Sequence, residues 1–172
     1  MANVQKYSLW LRPFGDAAFS LKRRIRDLSA KYGSPSFEPH VTLLGGLTGS
    51  EAVLRQLTSS LAASLHPFDI VLTSAGYEDS YFKSLYIHVQ KSRELMNART
   101  RAEQLFGHNA DERYHPHLSL MYGNFPQEEK ERILNRMGRE FHLRFSVQNI
   151  MLIPTGGNPD KWIKIHSAEL KE

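Results

Sequence analysis

Two tripeptides in this chain, His40-Val41-Thr42 and His117-Leu118-Ser119, each set an imidazole two residues before a hydroxyl. On a strand, side chains at i and i+2 project from one face, with Cα atoms roughly 6–7 Å apart. Each motif therefore offers a titratable ring beside a hydroxyl. Val41, Leu43, Leu118 and Leu120 turn to the opposite face, where helices can cover them. With an ordinary pKa of about 6.5, one imidazole can take a proton from water while a second gives one to a departing alkoxide. Placed on opposite sides of a phosphorus atom, they suit in-line opening of a cyclic phosphodiester, each role contributing roughly 10²–10⁴ in rate. Thr42 and Ser119 would then donate hydrogen bonds to the non-bridging oxygens, where charge builds. Such chemistry calls for no metal and no cofactor.

The motifs stand at equivalent places of a repeat. His40 follows Trp10 by 30 residues, and His117 follows Ile87 by 30, each interval spanning strand, helix and strand. Eleven residues beyond each histidine a glutamate stands near a helix start, Glu51 and Glu128, and seventeen beyond stand Leu57 and Leu134. Matching element order at this period predicts two similar lobes related by a pseudo-twofold axis, with a shared cleft between the motifs.

The elements that must position them follow from periodicity. Tyr7–Leu11 reads as a strand ended by Arg12-Pro13, and Asp16 can cap a helix whose Ala18, Leu21, Ile25, Leu28 and Tyr32 recur at helical steps up to Gly33. Pro39–Leu44 reads as a strand closed by Gly45-Gly46. The next helix has a capping-box spacing at Thr48 and Glu51 and a stripe of Leu54, Leu57, Leu61 and Leu65. Strands are predicted at Phe68–Ala75, Phe82–Gln90 and Pro116–Tyr122, with helices at Ser92–Phe106 and Gln127–Met137. Phe141–Ile153 and Lys161–His166 read as a β pair around a loop at 154–160. The pattern is α+β, one domain over residues 1–172, with no low-complexity linker.

Composition bounds the rest. The 172 residues are 41% hydrophobic and 23% charged, enough for one substantial core, and the lack of cysteine excludes disulfides, thiolate metal sites and a cysteine nucleophile. No apolar run reaches membrane-spanning length, and the first residues lead into a strand rather than a secretory h-region, so a cytoplasmic protein is expected. A formal charge of +4 favours anionic ligands. The basic run Lys22–Arg26 reads as a solvated helix face. His115 reads as a rim or structural residue, without a third ligand at metal spacing. Lys83 is a candidate phosphate contact that more simply reads as solvated; His66, His88, His108, His142 and His166 show no pairing.

The strings E-P-H-V-T-L and Y-x-P-H-L-S-L-x-Y, with a leading Y-S-x-W, resemble the two-histidine phosphoesterase superfamily over nearly the whole chain, most closely its plant and fungal cyclic phosphodiesterases. The resemblance implies a bilobal α+β fold with the cleft between two antiparallel sheets, and His40 and His117 as the catalytic pair. It further implies hydrolysis of ADP-ribose 1″,2″-cyclic phosphate to ADP-ribose 1″-phosphate, and of nucleoside 2′,3′-cyclic phosphates to 2′-phosphates, as in processing a by-product of tRNA splicing. Trp10 and Tyr122 match the family's aromatic positions around the nucleoside. Strict alternation faces Tyr122 away from His117 unless the strand ends near Met121-Tyr122, which Gly123 permits. The expected partner is a small cyclic-phosphate nucleotide, and the expected state a monomer. Two alternatives stand beside this reading: action on RNA 3′ ends, as in RNA 2′,3′-cyclic phosphodiesterases and 2′-5′ ligases, and a non-catalytic nucleotide-binding module.

Overall fold

Eight antiparallel strands form one sheet in the order β6-β3-β4-β5-β2-β1-β7-β8. They are β1 (Tyr7–Leu11), β2 (Val41–Leu47), β3 (Phe68–Gly76), β4 (Leu85–Val89), β5 (His117–Met121), β6 (Glu140–Val147), β7 (Asn149–Pro154) and β8 (His166–Glu169). The helices are α1 (Gly15–Tyr32), α2 (Glu51–Ala63), α3 (Arg93–Phe106) and α4 (Gln127–Met137), with single 3₁₀ turns at Tyr81–Lys83 and Pro159–Lys161. This computed structural model describes residues 4–108 and 113–172, and no helix among them is long and apolar enough to cross a membrane.

The two expected sheets are two four-stranded halves, β6-β3-β4-β5 and β2-β1-β7-β8, joined at one residue pair, Val41 with Leu118. Both side chains are fully buried on the helix-covered face, as their parity predicts. Helix α1 leaves β1 but packs on β5 and β6 of the other half, and α3 leaves β4 and packs on β2. Their buried residues, Leu21 and Ile25 on α1 and Leu95, Ala98 and Ala102 on α3, therefore fasten the halves across the seam.

Several boundaries differ from the sequence expectation for identifiable reasons. Helix α1 begins at Gly15 after Phe14, so Asp16 lies in its first turn, beside the positive end of the helix dipole, rather than at the cap. Gly33 does end it, its N–H donating to the Ser29 carbonyl. The α2 cap is Ser50, which accepts from the Val53 N–H, rather than Thr48. Strand β2 is not closed by Gly45-Gly46 but runs through it. Tyr7 pairs with Leu47 and Leu9 with Leu44, so three steps of β2 oppose two of β1, and Gly46 at φ 71° absorbs the bulge.

Phe82 and Lys83, the start of the strand expected at Phe82–Gln90, instead belong to a 3₁₀ turn, Tyr81–Lys83, before β4. The buried Lys130 ammonium donates to the Glu78 carbonyl at 3.0 Å, and the Glu78 N–H donates to the Lys83 carbonyl, holding that turn in place. The expected long strand over Phe141–Ile153 breaks at Gln148: β6 pairs with β3 in one half and β7 with β1 in the other. The partner of β7 is β8 at His166–Glu169, later than Lys161–His166. The strand register also corrects the repeat. Trp10 pairs with Thr42, and it is Tyr86 that pairs with Ser119, so the counterpart of Trp10 is Tyr86 rather than Ile87.

Because Leu118 sits at the seam and is fully buried, Leu118→Ala should cost about 2–5 kcal/mol through the cavity it leaves. Urea denaturation should show a lower midpoint with an unchanged m-value.

Candidate active site

The antiparallel register around Val41 and Leu118 sets His40 (41 − 1) across from Ser119 (118 + 1), and Thr42 across from His117. Each imidazole therefore faces the other motif's hydroxyl, and the two histidines take one diagonal of a four-residue square. Diagonal neighbours on such a ladder lie about 7–8 Å apart. Trp10, His40, Thr42, His117, Ser119 and Tyr122 all line one cleft of about 290 Å³.

Each ring is oriented by its own chain. His40 Nδ1 lies 2.7 Å from the Glu38 carbonyl oxygen, and His117 Nδ1 lies 2.8 Å from that of His115. A carbonyl oxygen only accepts, so Nδ1 carries the proton in both rings and the Nε2 lone pair remains available. The residues that supply these carbonyls are themselves anchored. The Glu38 carboxylate pairs with Arg12 and Lys22. The His115 ring lies 3.2 Å from His88 and 3.8 Å from the Glu78 carboxylate, which also accepts from Tyr86 and pairs with Lys83. His88 thus has a partner that sequence spacing did not reveal, because it arises from the pairing of β4 with β5. Lys83, a candidate phosphate contact, is engaged with Glu78. Among the described residues, no group of three or more His, Cys, Asp or Glu could hold a metal ion.

The two histidines differ in surroundings. His40 is buried and stacked on Trp10, with ring centroids 3.5 Å apart and planes 5° apart. Burial pushes its pKa down to about 3, the Glu38 hydrogen bond works against that, and His117 and Arg12 add repulsion. His117 is half-buried and meets Tyr86 edge-on at 5.3 Å. Its pKa is also lowered, by burial first, against the His115 hydrogen bond and with Lys83 nearby. Among the described residues Thr42 makes no side-chain hydrogen bond, whereas the Ser119 hydroxyl donates to the Phe82 carbonyl at 3.0 Å.

Tyr122 does reach the cleft. Strand β5 ends at Met121, and Gly123 at φ 140° lets the chain turn; a Cβ there would lie 2.4 Å from the Phe125 ring. One face of Tyr122 is covered by Phe37 at 3.9 Å, as one face of Trp10 is covered by His40. Sequence reasoning missed Phe82 and Trp162, which also line the cleft and face each other with centroids 6.0 Å apart and planes 29° apart. The available signal was two aromatics in polar, turn-rich segments with no apolar stripe to join. Ser8 and Thr155 complete the wall as a hydroxyl pair 3.1 Å apart.

Two pseudo-equivalent halves, each contributing a histidine and a hydroxyl to one cleft, define the two-histidine class of phosphoesterases. Residues 14–159 match the 2′-5′ RNA ligase superfamily, and the chain belongs to that family. It is 27% identical to a protein of Arabidopsis thaliana named cyclic phosphodiesterase, over 76% of this chain and 74% of that one. It is 28% identical to a 2′,3′-cyclic-nucleotide 3′-phosphodiesterase of Phaeosphaeria nodorum, over 95% and 98%. In fold it is similar to E. coli LigT, solved in complex with 3′-AMP, with a TM-score of 0.67 at 14% identity over 99% of this chain and 100% of LigT.

The burial of His40 couples stability to pH. Its pKa of about 3 lies below the ordinary 6.5, so between these values the unfolded chain binds a proton that the folded one refuses. Stability from this group is full above pH 6.5 and is lost as pH falls toward 3, by up to about 1.4 kcal/mol per pH unit. Urea titrations at pH 7.5 and pH 5 should show the wild type losing about 2 kcal/mol more than His40→Gln over that interval.

Proposed function

We propose that this protein is a metal-independent cyclic phosphodiesterase that opens small cyclic phosphates by paired histidine acid–base catalysis. The observation that carries the reading is the convergence of His40, His117, Thr42 and Ser119 on one cleft, with each histidine held in the tautomer that leaves Nε2 free. One Nε2 takes the proton of the attacking water, and the other, protonated, gives a proton to the leaving alkoxide on the far side of phosphorus. The orientation of the substrate in this pseudo-symmetric square sets which ring plays which part.

A phosphate dwelling between the rings favours their charged forms, opposing the burial that depresses both pKa values. Thr42 donates to one non-bridging oxygen, and Ser119 does so once its proton is drawn from the Phe82 carbonyl. Trp10 and Tyr122 serve as walls with one covered face each, and the more open surfaces of Phe82 and Trp162 can receive a base. The names of the plant and fungal relatives agree with this chemistry. Within it, we take ADP-ribose 1″,2″-cyclic phosphate and nucleoside 2′,3′-cyclic phosphates as the substrates. The RNA-end reading would want a free basic track, but Lys22 pairs with Glu38, and Arg23 and Arg26 with Asp27.

Turnover of ADP-ribose 1″,2″-cyclic phosphate, adenosine 2′,3′-cyclic phosphate and an RNA ending in a cyclic phosphate, followed by phosphorus NMR with EDTA present, tests the assignment. The small esters should be opened, and His40→Ala and His117→Ala should each lower kcat by roughly 10²–10⁴. Turnover of the RNA alone would move the assignment to RNA ends. Binding without turnover of any of them would make the protein a nucleotide-binding module.

A further inference from the structure

Beside the catalytic cleft lies a second cavity of about 550 Å³, within the range of small-molecule sites, roughly 300–1,000 Å³. The two cavities share Phe82. Pro159 and Asp160 of the second 3₁₀ turn line the groove, and Trp162, which follows that turn and whose N–H donates to the Pro159 carbonyl, lines the cleft. We propose that this groove is a second subsite that takes the distal nucleoside of a dinucleotide-like substrate whose cyclic phosphate sits between His40 and His117.

The inference rests on the phosphodiesterase reading above and deepens it. The catalytic cleft, at about 290 Å³, falls just below that range, so the far part of an ADP-ribose derivative has to extend outside it. The groove supplies what a nucleoside needs. Tyr81 and Phe82 are both solvent-exposed on its wall and meet edge-on, with centroids 4.9 Å and planes 79° apart, so a base can stack on one ring while the other abuts its edge. Asp160 is its one charged lining residue among those described, is exposed, and forms no ion pair among the described residues. A carboxylate is the group that hydrogen-bonds a ribose hydroxyl pair. The absence of a cation among the described lining residues suits an uncharged nucleoside rather than a phosphate.

The same chemistry discriminates between substrates. The adenosine of an ADP-ribose derivative has a free 2′,3′-diol to offer Asp160. The penultimate nucleotide of an RNA has lost that diol to the chain and would bring a phosphate toward the carboxylate.

Calorimetry with the two product ligands, ADP-ribose 1″-phosphate and adenosine 2′-phosphate, tests the subsite in wild type, Asp160→Asn and Tyr81→Ala. Each variant should bind ADP-ribose 1″-phosphate about tenfold more weakly. Binding of adenosine 2′-phosphate and hydrolysis of adenosine 2′,3′-cyclic phosphate should be unchanged. Equal losses for both ligands, or no loss for either, would overturn the subsite. Wild-type protein that hydrolyses neither cyclic ester overturns the catalytic reading, while the calorimetric difference still decides the groove. Wild-type protein that binds neither product overturns both.

Discussion

Everything at the catalytic cleft depends on one point of contact between two halves of a sheet, the antiparallel pair Val41 and Leu118. Because side chains alternate along a strand, pairing those two apolar residues on the helix side forces their neighbours onto the other side. His40 then stands across from Ser119, and Thr42 across from His117. A one-residue slip would bury four polar side chains among leucines and expose the apolar ones, so the hydrophobic pattern itself protects the register. The square of two imidazoles and two hydroxyls is thus a by-product of core packing. The crossing of α1 and α3 over the seam keeps the two halves from parting there, where among the described residues the ladder holds one residue pair.

Below that constraint lies a second one, the fixing of the rings. An imidazole on a strand end could turn about its side-chain bonds. Here the carbonyl two residues earlier holds Nδ1 in both motifs, and in both cases the carbonyl belongs to a residue whose own side chain is engaged, Glu38 in ion pairs with Arg12 and Lys22, and His115 in contacts with His88 and the Glu78 carboxylate. The Glu38 ion pairs are partly exposed, and such contacts contribute little to stability by themselves. Their consequence is positional, since a carbonyl that does not move gives a ring that does not turn.

Much of this was legible in the residues. The tripeptides, their spacing, the burial of Val41, Leu43, Leu118 and Leu120 on the opposite face, and the helical stripes all follow from periods of 2 and 3.6. What was not legible depends on interactions distant in sequence. The bulge at Gly46 is invisible without knowing that β1 lies opposite. The passage from β6 to β7 looks like one strand because both segments are apolar and only Gln148 separates them. The true counterpart of Trp10 is displaced by one residue from the 30-residue spacing, since the chain from Tyr86 to its partner Ser119 is one residue longer (119 − 86 = 33) than from Trp10 to Thr42 (42 − 10 = 32). Phe82 and Trp162 come from turns that local propensity does not place, and their facing arrangement depends on two loops meeting from opposite halves.

The pseudo-symmetry of the square contrasts with the asymmetry of its walls. His40 is sealed beneath Trp10, whereas His117 is half-exposed among Tyr86, His88 and His115. In the proposed reading, symmetric groups by themselves would accept a cyclic phosphate in two opposite orientations, and release of one regioisomer requires that one of them be rejected. The chemistry leaves the four central residues little freedom to differ, so selection falls to the surroundings. In this fold the distinguishing surroundings are the 3₁₀ turns at Tyr81–Lys83 and Pro159–Lys161, which carry Phe82 and, just beyond the second turn, Trp162 to one side of the square. In the proposed reading the seam between the halves carries the reaction, and the loops inserted beside it bias the direction in which a substrate can enter.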